Sequence, residues 1–172
     1  WQVAMQNTTV RSRLEKILLL TPVLFAVHNA EEALMMRRAD GPVPFFGGYP
    51  VSPDQFAVAI VVLTVIGFLV TAAAWRFWGR RYFLLVMNGF LSMFILNAFF
   101  PHIIASIVTG TAAPGVATAV LLYLPFGVYG VRSILRHDLL YRRHFIVSLA
   151  AGPVVAAALA GLCLLVGYLA VP

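Results

Sequence analysis

Three ionisable residues stand close together in the first apolar stretch of the chain. They are His28, Glu31 and Glu32, within Ala26-Val27-His28-Asn29-Ala30-Glu31-Glu32-Ala33-Leu34. On a helix turning about 100° per residue, Glu31 lies about 60° to one side of His28 and Glu32 about 40° to the other. All three then share one stripe over a single turn, with Thr21 and Met35 near it. An imidazole and carboxylates so arranged can hold a divalent metal, exchange protons with a substrate, or bind a cation in passage. His28 and Glu31 have the i, i+3 spacing with which carboxylate-bundle proteins bind metal. The pattern is not His-Glu-x-x-His, so the zincin mechanism does not transfer.

An ionised carboxylate at the centre of a membrane helix costs about 2.5 to 3.5 kcal/mol. Two adjacent ones require protonation, a cationic partner or a metal. The nearest arginines, Arg37 and Arg38, lie roughly one to two turns farther along. They either snorkel to water or fold back on Glu31 or Glu32.

A second polar set lies in the third apolar stretch: Asn88, Ser92, Asn97 and His102. Counted from the basic residues that begin each stretch, Asn97 and His102 bracket the depth of residues 28–32. Asn97 and His102 are about 140° apart on an ideal helix. Pro101 cannot donate to the carbonyl of Asn97, so the helix is expected to break there and swing both side chains toward one cavity. Two imidazoles with one or two carboxylates make a coordination set for zinc, or for iron or manganese. The expected metal ligands are His28, Glu31, Glu32 and His102. Glu31 and Glu32 are also the expected catalytic carboxylates, one as ligand and one as base, in an order the spacing leaves open. Asn97, Asn29 and Tyr123 are expected to contact the substrate or support the ligands.

The elements that must hold these residues are membrane helices. Of 172 residues, 62% are hydrophobic and 10% charged, against about 25% charged in a soluble domain, so no water-facing domain is expected. The mean hydropathy of +0.93 agrees. Five stretches reach the length a bilayer demands, at about residues 14–36, 55–75, 82–109, 116–134 and 145–171. The expected fold is an all-α, five-helix transmembrane bundle in a single domain. The basic residues lie in short clusters between these stretches, which argues for membrane topology and against nucleic acid despite a net charge of +6. With the N-terminus in the cytoplasm, ten of the 12 basic residues fall on that side and only Arg37 and Arg38 outside. The C-terminus is then outside.

The first stretch follows Arg11, Arg13 and Lys16 as a signal peptide would. It has no A-x-A-like cleavage site, and it contains the acidic pair, so it reads as a span. Cys163 is the single cysteine, which excludes an intrachain disulfide. The connector of residues 39–54 carries Pro42, Pro44, Pro50 and Pro53 with Phe45, Phe46 and Tyr49; it is expected to hug the interface or to cover an outward-facing site. Prolines inside the spans, Pro22, Pro101, Pro125 and Pro153, are expected to kink or open them.

The chain resembles the HXXEE family of integral membrane proteins. The resemblance rests on His28-Asn29-Ala30-Glu31-Glu32, on Asn97 and His102, on Pro114-Gly115 and on Leu124-Pro125. It covers residues 14–134; the last span has no counterpart. It implies an integral membrane protein whose suggested activity is that of a membrane protease.

Three functions are consistent with these residues. The first is an intramembrane metal-dependent enzyme, a hydrolase of a hydrophobic or lipid-like substrate reached from the outer leaflet. The second is a metal-free acid–base isomerase or cyclase of a lipid or terpenoid. The third is a small transporter or ligand-binding membrane module. The expected setting is a bacterial plasma membrane, with lipid as partner and assembly with further copies left open.

Overall fold

The structure is a computed structural model describing residues 2–38, 43–44 and 50–171; the side chains of residues 2–8, 10, 43 and 44 are outside that description. Pro42, Phe45, Phe46 and Tyr49, read above as an interfacial connector or cover, lie outside the described residues.

Apolar runs separated by proline and glycine give a chain that is almost wholly helical. The helices are α1 (Gln2–Leu18), α2 (Thr21–Met36), α3 (Pro53–Arg76), α4 (Gly79–Asn97), α5 (Ile104–Thr109), α6 (Val116–Thr118), α7 (Leu124–Arg136) and α8 (Arg142–Ala170). Two short strands, β1 (Val43–Pro44) and β2 (Pro50–Val51), pair antiparallel between α2 and α3. Joined across their breaks, these elements make five helical segments long and apolar enough to cross a membrane: Arg11–Met36, Pro53–Arg76, Gly79–Thr109, Val116–Arg136 and Arg142–Ala170.

The breaks follow from the prolines. Pro22 has no N–H for the carbonyl of Leu18, so the first span divides at Leu19–Leu20, and the Thr21 hydroxyl donates to Leu18 O instead, at 2.6 Å. Pro101 opens the third span: Phe100 leaves the helical region (φ −129°, ψ 115°), and residues Ala98–Ile103 form a π-helical turn before α5 resumes. Residues Ala119–Tyr123 form a second π-helical turn between α6 and α7, which begins with Pro125 in its first turn. Such turns widen a helix and concentrate at functional sites. Pro153 differs, since α8 runs through it as one element of 29 residues.

Lipid tails are as apolar as leucine, so membrane helices associate by close packing more than by a hydrophobic drive. Glycines supply the closest approaches. A Cβ on Gly152 of α8 would overlap the Gly89 carbonyl of α4, and one on Gly167 would overlap the Gln55 carbonyl of α3. α8 is thereby seated against both α3 and α4, while α2 leans on α3 and α7 on α4. Near the basic end, Leu14, Leu18, Phe83, Leu84, Met87 and Ile134 fill the core. Toward the other end, Phe25, Phe94, Ala98, Ala119 and Tyr123 form a second cluster. The polar residues lie on top of that second cluster.

Candidate functional site

His28 and Glu32 stand one turn apart on α2, and His102 comes from the π-helical turn opened by Pro101. Their ligand atoms, two imidazole nitrogens and a carboxylate oxygen, all lie within 4.8 Å of one another. Glu32 Oε1 is 3.4 Å from His102 Nε2 and 3.8 Å from His28 Nε2. The two imidazoles meet edge to face with centroids 4.8 Å apart. Both histidines are buried, and the Glu32 side chain is half-covered.

The orientation of His28 is set from α6. Its Nδ1 is 2.8 Å from the hydroxyl of Thr118. That hydroxyl has the Gly115 carbonyl at 3.4 Å as an acceptor for its own hydrogen. Assigning the hydroxyl hydrogen to Gly115 leaves its lone pair for Nδ1–H, which puts the free lone pair of His28 on Nε2. That nitrogen is buried, has no hydrogen-bond partner and faces Glu32. A lone pair turned toward a carboxylate and a second imidazole is repulsive unless a cation or a proton stands between them.

Asn97 joins the set. Its Oδ1 lies 3.1 Å from His102 Nε2, so the amide accepts from Nε2–H there or, turned over, donates its Nδ2–H to the Nε2 lone pair. The expected swing at Pro101 accounts for this contact, because Asn97 and His102 fall on either side of the opened Phe100. Tyr123 supplies a wall: its ring lies 4.2 Å from that of His28 and stacks on Phe94 at 3.7 Å. Its hydroxyl is buried without a hydrogen-bond partner.

Gly115 closes the cluster from the side. It adopts a left-handed backbone, φ +81°, and an added Cβ would come within 2.7 Å of Glu32 Cγ, 2.8 Å of His28 Cε1 and 2.9 Å of His102 Cε1. Only a glycine allows the backbone both this conformation and this approach.

Glu31 does not converge with the other three. Its oxygens accept from the backbone amides of Ala117 at 3.2 Å and Thr118 at 2.8 Å. These are amides of the first turn of α6, which have no acceptor within their own helix, and a carboxylate is favoured there. Glu31 thus caps another span's helix and ties α2 to α6, which carries Thr118 and follows Gly115. Asn29 also turns elsewhere: its Nδ2 donates to Thr64 Oγ1 of α3 at 2.7 Å. Arg37 does not fold back on the glutamates but stands 3.7 Å from Asp54 at the start of α3.

Two residues of the site went unnoticed as residues in the sequence. Thr118 carries no signal, since a threonine near a helix start is ordinary. Gly115 stands in the sequence only as half of the Pro114-Gly115 pair, which gives no hint of contact with both histidines.

The family described as "Protein of unknown function with HXXEE motif" matches residues 19–130, a stretch that includes every residue of the cluster. A relative from Bacillus subtilis (strain 168), "Uncharacterized protein YrkK", is 28% identical over 141 residues, covering 82% of this chain and 89% of the relative. No solved structure matches.

Proposed function

This chain belongs to the HXXEE family, and we propose that it is an intramembrane metal-dependent hydrolase acting on a hydrophobic or lipid-like substrate. The observation that carries the reading is the convergence of His28, Glu32 and His102 inside apolar helices. Among the described residues no lysine or arginine forms an ion pair with Glu32. Two imidazoles and one carboxylate are a donor set that leaves coordination positions open for water and substrate. The unpartnered Nε2 of His28 fits a ligand role, and Asn97 Oδ1 is a neutral oxygen beside the set. Zinc suits these donors best, with iron or manganese next. A divalent ion held there supplies Lewis-acid polarisation of a carbonyl and an acidified water.

The protein's own part is orientation and exclusion of water. Thr118 fixes the His28 tautomer, Glu31 holds α6 against α2, and Phe94 and Tyr123 seal the floor. The Tyr123 hydroxyl is a donor available to a substrate oxygen. Ten of the 12 basic residues cluster at the opposite end of the helices, which supports a cytoplasmic N-terminus, an outside C-terminus and a site in the outer leaflet of the cell membrane.

Elemental analysis of protein purified in detergent tests the reading. Wild type should carry stoichiometric zinc, iron or manganese, and His28→Ala and His102→Ala should lose it while keeping their helical circular dichroism. A long-chain p-nitrophenyl ester should be hydrolysed by wild type only. Metal-free wild type would overturn the proposal. The 3.4 Å Glu32–His102 contact also suits a shared proton, so chelator-insensitive isomerisation of a lipid would select the acid–base reading instead.

A further inference from the structure

α2 presents a second feature on the side facing away from the histidines. At about 100° per residue, Ala26, Ala30, Ala33 and Arg37 line up on a face roughly opposite His28. Between this face and α3 runs a groove of about 460 Å³, open along the side of the bundle. Its walls are the alanines of α2 and Ala57 with Val61 of α3, and Val61 is exposed. The two polar side chains of the floor are tied to the helices, Asn29 donating to Thr64 and Thr64 to Ile60 O at 2.7 Å.

Two properties identify the occupant. The first is length. From Ala26 to Arg37 the groove spans about 16 Å at 1.5 Å per residue, half of a hydrocarbon core of about 30 Å. It is one leaflet deep. Toward the basic end the next residue of this face is Val23, exposed and outside the groove's lining, so the groove ends near Ala26, about mid-membrane. A helix from a second copy would need a seam crossing both leaflets, whereas a single acyl chain needs one. The second is charge. At the headgroup end, Arg37 and Asp54 face each other at 3.7 Å, beyond hydrogen-bond range, with side chains 61% and 74% exposed. A guanidinium takes phosphate oxygens in pairs, and a carboxylate accepts from a primary ammonium. Side by side they match a phosphate and an ammonium on one headgroup. A phosphoglycerol headgroup carries the phosphate charge alone and offers no cation to Asp54, and a quaternary ammonium has no N–H to donate.

We infer that the α2–α3 groove binds one phospholipid with a phosphoethanolamine headgroup, its acyl chain along the alanines and its headgroup across Arg37 and Asp54. This site is separate from the metal cluster and does not depend on it.

Native mass spectrometry of the purified protein with equimolar synthetic phosphatidylethanolamine and phosphatidylglycerol tests the inference. Wild type should retain one phosphatidylethanolamine in several-fold preference. Ala30→Phe, which fills the groove, should lose the adduct; Ala57→Phe does the same from the opposite wall should Ala30→Phe not fold. Asp54→Asn should turn the preference toward phosphatidylglycerol, and Arg37→Gln should weaken both lipids. Equal retention of the two lipids by wild type would overturn the inference, as would an adduct that survives both phenylalanines. So would loss of the adduct together with dissociation of a dimer, which would mean that a second copy fills the groove. Metal content read on the same samples separates this result from that of the catalytic proposal.

Discussion

The first span carries two carboxylates, Glu15 buried and Glu32 half-buried, that differ in how they are neutralised. Glu15 is 1% exposed, accepts from Arg11 Nε at 2.9 Å and has Arg80 Nε at 3.7 Å. Glu32 lies about 25 Å farther along the span, is 17% exposed and has two histidines for ion-pair neighbours. Glu15 binds α1 to the start of α4 and has a matching cation built into the fold. Glu32 has no permanent cation among the described residues, so its charge must be met by something that comes and goes. The same residue type is scaffold at one end of the span and chemistry at the other, and its neighbours make the difference.

The sharpest way to break this comparison is to neutralise both. Glu32→Gln should abolish stoichiometric metal, because an amide is a far weaker ligand and two imidazoles alone do not complete the set. Glu15→Gln should leave metal content at the wild-type level. Elemental analysis of the two purified variants reads both outcomes. Equal metal in both would remove Glu32 from the site.

The next effect lies on the Glu15 side and concerns stability. Arg11→Ala leaves a buried carboxylate with only the longer Arg80 contact, and such half-broken pairs cost about 3 kcal/mol or more. Glu15→Gln costs less, about 1 to 2 kcal/mol, because Arg80 is exposed and the half-buried Arg11 can turn to water. Equilibrium unfolding in mixed micelles should therefore rank Arg11→Ala below Glu15→Gln. The reverse order would mean that Arg80 alone satisfies Glu15.

On the Glu32 side, Thr118→Val removes the acceptor that fixes His28 Nδ1. Loss of such a supporting hydrogen bond lowers metal affinity about 10- to 100-fold, as competition with a chromogenic chelator would show. An unchanged affinity would mean that His28 is held by packing against Tyr123 alone.

Much of this was legible in the chain. Helical geometry placed His28 and Glu32 on one stripe, and the missing N–H of Pro101 foretold the opening that brings Asn97 to His102. The five apolar stretches have five helical counterparts. What the stripe could not reveal was which neighbour each carboxylate meets. A helical projection gives the angle at which a side chain leaves its axis and nothing about what stands opposite. The amides that take Glu31 belong to α6, more than 80 residues on, and the threonine that takes His28 is in the same short helix. Asn29 was misplaced for the same reason: one residue from His28, it is turned by about 100° and so meets α3. The division of α1 from α2 was likewise legible in Pro22, as the kink expected inside the first span.

The smallest predicted effect separates the two glutamates of the motif itself. Glu31→Gln keeps one carbonyl oxygen, which can accept from Thr118 N or Ala117 N but not hold both as the carboxylate does. The lost charge at a helix start and the one unmet amide together cost about 1 kcal/mol, the usual worth of an N-terminal cap. The ligand atoms of His28, Glu32 and His102 do not include Glu31, so metal content should stay at the wild-type level while the unfolding midpoint falls slightly. Catalytic rate should fall further than stability does, since Glu31 is a positioning residue for α6, which carries Thr118 and follows Gly115, and Glu31→Asp, which restores the charge with a shorter reach, should recover part of that rate. Full loss of metal in Glu31→Gln would place both carboxylates on the ion and collapse the distinction between cap and ligand.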